Sequence, residues 1–69
     1  MTRYVVIFER GKRNWSAYCP DLPVVATGRT RDRTLRRMAE AIRFHLDGLA
    51  EEGRKAPRPR SDAEVLVFA

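Results

Sequence analysis

Sixty-nine residues with one cysteine and a net charge of +5 describe a single small domain, and they close off several ways of stabilising it. Cys19 has no partner for an intrachain disulfide, and Cys19 with the lone histidine, His45, does not complete a zinc site. No apolar run reaches the roughly 18 residues of a membrane span and no signal-peptide segment opens the chain, so the expected setting is the cytoplasm; the staple left for so small a core is association with another chain.

Residues 3–9 read as a first strand, with Tyr4, Val6 and Phe8 on one face and Val5 and Ile7 on the other. Both faces are apolar, so each is expected to be covered, one by a helix and the other by a second chain. Residues 11–14 then suit a hairpin turn, being polar and tolerant of positive φ. The second strand, 14–19, sets Trp15, Ala17 and Cys19 against Ser16 and Tyr18. Pro20 and Pro23 fix φ and withhold amide donors, which ends that strand. A short third strand at 24–26 closes near Gly28, and short links between the three imply an antiparallel meander.

The longest element expected is a helix over 30–53. Leu35, Met38, Ala39, Ile42, Leu46 and Leu49 recur at the spacing of one helical face and would cover the sheet. Thr30 suits the N-cap, Gly53 suits the left-handed position after the last turn, and Pro57 and Pro59 prevent continuation. Residues 54–62 form a return loop, and 63–68 read as a last strand with Val65 and Val67 opposite Leu66 and Phe68. The fold class is therefore α+β with the order β-β-β-α-β. Its three-stranded antiparallel meander lies under one long helix, and the fourth strand pairs at a sheet edge. A helical crossover could set that strand parallel to the first, right-handed; pairing with another chain is equally open.

Little in the residues points to catalysis. His45 flanks the apolar helix stripe alone, Cys19 reads as a buried thiol, and the acidic residues give no metal spacing. There is no glycine-rich phosphate loop, so neither a metal nor a cofactor is called for. The basic charge is carried by twelve Arg and two Lys. It permits nucleic acid as a partner, with Arg13, Trp15 and Tyr18 as candidate RNA contacts, but its spread along the chain reads more simply as a solvated surface. Phe44 lies opposite Leu35 on the helical wheel beside Ala41, Gly48 and Arg37, where a large aromatic among small neighbours suits an anchor for another chain. The candidate partner or oligomer interface is accordingly Val5, Ile7, Tyr18, Arg37, Ala41, Phe44 and Gly48.

Several motifs fall in a familiar order. The run Trp15-Ser16-Ala17-Tyr18-Cys19-Pro20-Asp21-Leu22-Pro23, then Thr27-Gly28-Arg29-Thr30, resembles the N-terminal domain of HicB-type antitoxins, as do Ala41-Ile42 with His45-Leu46-Asp47-Gly48-Leu49, and Gly53 followed by Pro57, Pro59 and Ser61. The resemblance covers nearly the whole chain as one HicB-like domain, 1–69. It implies a reduced ribonuclease H-like core without catalytic acids, and a non-enzymatic antitoxin that neutralises a HicA-type mRNA-cleaving toxin by binding over its active surface. It also implies a homo-oligomer, dimer or tetramer. Many members add a C-terminal DNA-binding domain, expected to be absent here. The chain differs from the family's usual pattern at Val24-Val25, where Gly-Cys is common, and at Arg31 and Arg33 in the first helical turn. The alternatives are a small RNA-binding or regulatory module, and an oligomeric remnant without a toxin partner.

Overall fold

The computed structural model describes residues 2–69. Strands β1 (Ile7–Arg10), β2 (Trp15–Tyr18) and β3 (Val25–Gly28) precede one helix, α1 (Arg31–Glu51). They form one sheet in the order β1-β2-β3, antiparallel throughout. The expected α+β meander under a long helix is present.

The first strand is shorter than its apolar run. Ile7 pairs with Tyr18, the last residue of β2, so Val6 and Val5 would next face Cys19 and Pro20. The Cys19 amide is already given to the Val24 carbonyl at 3.2 Å, and Pro20 has no amide hydrogen. The ladder stops there for want of donors. Tyr4, Val5 and Val6 remain half-buried outside it. At the other end the Gly11 amide donates to the Asn14 carbonyl at 2.8 Å, closing the expected hairpin turn.

The core is a cluster of Ala17, Cys19, Leu22, Val24 and Met38, rimmed by Tyr4, Val6, Phe8, Ala26, Ala41, Ile42 and Leu46. Both ends of α1 form as their residues predict. Thr30 lies in extended backbone and its hydroxyl oxygen accepts from the Arg33 amide at 3.0 Å. Gly53 takes φ of 70° and donates to Ala50, while the Arg54 amide reaches back to Leu49 at 2.8 Å. That bond pair satisfies two carbonyls of the last turn.

The buried face of α1 is rotated from the expected stripe. Leu35 is 42% exposed and Ala39 is exposed as well, whereas Thr34, outside the stripe, has no exposure at all. Gly28 explains this. A Cβ there would lie 2.7 Å from the Thr34 hydroxyl oxygen, so its absence lets the helix settle on the sheet through Thr34. The Thr34 hydroxyl donates to the Thr30 carbonyl at 2.8 Å, so the polar atom is buried with a partner.

The largest difference lies at the end of the chain. Residues 63–68 join no ladder, so the expected edge pairing of a fourth strand is absent from the isolated chain. The return loop before them is nevertheless fixed. The Asp21 carboxylate accepts from the amides of Arg60 and Ser61, each at 3.0 Å, and from the Ser61 hydroxyl at 3.1 Å. The Tyr4 hydroxyl donates to the Pro57 carbonyl at 2.6 Å.

Candidate functional site

Three surfaces stand out, and the sheet register builds the first. Ile7 pairs with Tyr18 and Tyr18 with Val25, so one residue from each strand falls in a single row across the sheet. Tyr4, Val6 and Phe8 pack toward the helix, which turns Ile7 and its row to the opposite, uncovered face. Val5 lies two residues before β1 and lines a cleft with Arg3, Tyr4, Ser61 and Asp62. The predicted residues Ile7 and Tyr18 are thus brought together, with Val5 outside the paired row. Val25, 74% exposed, completes the row and was not among them.

The second surface is the flank of α1 beside β3. Phe44 is 81% exposed, and with Ala41 and His45 it faces Pro23, Val24 and Val25 across a shallow cleft of about 280 Å³. Its other side is bordered by Ala39, Glu40, Arg43 and Asp47, with Arg43 and Asp47 3.6 Å apart. The wheel placed Ala41 and Gly48 with Phe44 on the back of the helix. Rotation of the buried face instead brings Ala41 half into the core rim, while Gly48 is half-buried with open space where a Cβ would project. Arg37 is drawn away from that face, its Nη1 donating to the Thr27 carbonyl at 2.7 Å on the outer edge of β3.

The third surface is cationic. Arg13, Arg29, Arg33 and Arg37 converge with Asn14, Thr27 and Gly28 around a cleft of about 390 Å³ at the start of the helix. Among the described residues none of these four guanidiniums has a carboxylate partner; the ion pairs formed are Arg36–Asp32, Arg43–Asp47 and Arg54–Glu52, all largely exposed and individually weak. Arg29, Arg33 and Arg37 are four residues apart, a spacing visible in the sequence, but the long reach from Arg13 is made only by folding. Other arginines are occupied with aromatics, Arg31 lying 4.1 Å from the Phe8 ring centroid and Arg10 5.9 Å from that of Trp15. Of the candidate RNA contacts, Arg13 enters the cleft. Trp15 lies on the helix-facing side beneath Arg10, and Tyr18 on the opposite face, so the three do not share one surface.

Asp21 is the polar residue that reading the sequence missed. Both Asp21 and Ser61 stand in the motifs already quoted, but their meeting across 40 positions is not visible in either. The backbone amides of Arg60 and then Ser61 hold its carboxyl below the ordinary value of 3.8. Cys19 is buried and unpaired, and among the described residues no cluster of His, Cys, Asp and Glu could hold a metal. No helix of the described chain is long and apolar enough to cross a membrane.

Comparison with known proteins gives one curated relative. Over 66 residues the chain is 33% identical to antitoxin HicB 2 of Photorhabdus laumondii subsp. laumondii, an alignment that takes in 94% of this chain. The chain is HicB-like. This HicB-like chain spans about half, 48%, of the length of that relative. No family model matches it, and no solved structure does.

Proposed function

We propose that this HicB-like chain is a non-enzymatic antitoxin domain of a type II toxin–antitoxin pair, which neutralises a HicA-type mRNA-cleaving toxin by covering it. The observation that supports this most is the 33% identity to a HicB antitoxin along nearly the whole chain. The apolar flank of Phe44 and Val25 offers the kind of exposed anchor that protein interfaces use. In this reading the chain works in the cytoplasm as a homo-oligomer, dimer or tetramer. Its contact residues come from Val5, Ile7, Tyr18, Arg37, Ala41, Phe44 and Gly48.

Co-expression with the small open reading frame beside its gene tests the proposal. That frame should arrest growth alone, grow normally with this chain, and co-purify with it. Growth arrest that the chain does not relieve, with no complex recovered, would refute it. A second reading, binding of RNA phosphates, is favoured by the four arginines of the cleft, none of which has a carboxylate partner among the described residues. It predicts an affinity for single-stranded RNA that falls steeply with salt and is lost in Arg33→Ala/Arg37→Ala. A flat salt response excludes it.

A further inference from the structure

Residues 63–68 are built as a strand and used as none. Val65, Leu66, Val67 and Phe68 are between 71% and 91% exposed, and they alternate so that each face of the segment carries two of them. Four consecutive large apolar side chains left in water are a burial surface awaiting its other half. The segment also extends the molecule. The principal extents are 47 × 26 × 17 Å and the radius of gyration is 13.6 Å, against about 11 Å for a compact chain of this length.

The place where the segment leaves the body is set by hydrogen bonds. Asp21 holds the amides of Arg60 and Ser61, and Tyr4 holds the Pro57 carbonyl, so 63–68 departs from beside Arg3, Tyr4 and Val5. Those residues lead directly into β1, an edge strand with no neighbour on its outer side among the described residues. Such an edge, flanked by apolar residues, is a ready template for a further strand. The edge of β3 is less available, because Arg37 already occupies the Thr27 carbonyl there.

We propose that 63–68 is an exchanged strand, which pairs with the outer edge of β1 and the residues just before it in a second copy of the chain, the second copy returning the same contact. Stem and receptor lie side by side on each molecule, so one two-fold axis satisfies both edges and both tails at once. Charge favours this pairing on balance: Asp62 precedes the tail and Glu64 lies within it, while the receiving segment carries Arg3 and Arg10 against the single acid Glu9. One face of the added strand would extend the row of Ile7, Tyr18 and Val25 and the other would cover the rim at Tyr4, Val6 and Phe8. The inference rests on the homo-oligomer reading and is independent of any toxin.

Light scattering on the full chain at micromolar concentration is the first test, and the mass should be twice 8.0 kDa. Leu66→Asp/Phe68→Asp should halve that mass while the helical circular dichroism signal of α1 is kept, since both side chains are exposed in the isolated chain. Copies carrying Val5→Cys mixed with copies carrying Val67→Cys should form a covalent pair on mild oxidation, and neither variant should do so alone. An oligomer that survives Leu66→Asp/Phe68→Asp, or one lost without any mixed cross-link, overturns the exchange while leaving the homo-oligomer intact. A full chain that is monomeric overturns both.

Discussion

Gly28→Ala probes the joint on which the helix and the cationic cleft both depend. An alanine Cβ at this position would stand 2.7 Å from the Thr34 hydroxyl oxygen, 3.1 Å from its amide nitrogen and 3.4 Å from its Cα. None of these atoms moves cheaply. The hydroxyl donates to the Thr30 carbonyl and the amide donates to the same oxygen at 3.0 Å, so retreat breaks the first turn of α1. Overpacking of this kind typically costs about 1–3 kcal/mol, while replacing glycine returns about 0.4–1 kcal/mol by stiffening the unfolded chain, leaving a net loss of about 1–2 kcal/mol. In a domain of this size each kcal/mol lowers the melting temperature by about 4–8 °C. Urea unfolding followed by circular dichroism, at one fixed protein concentration, reads the change directly. A double-mutant cycle isolates its cause. In a Thr34→Ala background the 2.7 Å contact is gone, so Gly28→Ala should cost distinctly less than in the native chain. A Gly28→Ala protein as stable as the parent, or a cycle that is simply additive, would refute the close-approach account of how helix and sheet meet.

Met38→Ala should lose about 2–5 kcal/mol in the same assay, because Met38 is fully buried in the core cluster. Gly48→Ala should gain about 1 kcal/mol from helix propensity, since nothing lies within 4 Å of the position its new methyl group would take, and a loss instead would mean that Gly48 is in contact with another chain. Asp21 gives the pH dependence. Its folded carboxyl is held below 3.8, so the clamp on Arg60 and Ser61 is complete above that value and is lost as pH falls through the lower folded one. The amide resonances of Arg60 and Ser61 should report a titration midpoint below 3.8 in NMR spectra, and Asp21→Asn should abolish that step.

The elements that were legible in the sequence are those whose cause is local. Thr30 and Gly53 bound the helix through bonds made within one turn, and the alternation of Trp15 to Tyr18 needs no distant partner to be read. Where a boundary depended on the partner strand, the residues alone misled. The run 3–9 is apolar enough for a long ladder, but Cys19 and Pro20 have no amides to offer its first half. The helix stripe held at Met38, Ile42, Leu46 and Leu49 and failed at Leu35 and Ala39, for a related reason. Leu35 outranks Thr34 on any scale of hydrophobicity, and it is the missing side chain of Gly28, on another element, that reverses them. The cationic cleft was half visible, as the four-residue spacing of Arg29, Arg33 and Arg37, and became a site only when the hairpin carried Arg13 to it.

That separation of surfaces bears on how a chain of net charge +5 would meet the mRNA-cleaving toxin proposed as its partner. Like charges across an interface are costly, and a uniformly basic surface would repel such a partner. The charge here is not uniform. Among the described residues, four arginines without a carboxylate partner are gathered at the helix start, two more lie against aromatic rings, and three pair with acids. The flank at Phe44 carries Glu40 and Asp47 beside Arg43, close to neutrality around an exposed aromatic. A basic partner docking there meets apolar surface and balanced charge, with the arginine cleft left at the far end of the sheet. The order of sensitivity follows: Phe44→Ala should weaken a protein complex far more than removal of Arg33 does, and the reverse order is what an RNA ligand in the cleft would produce.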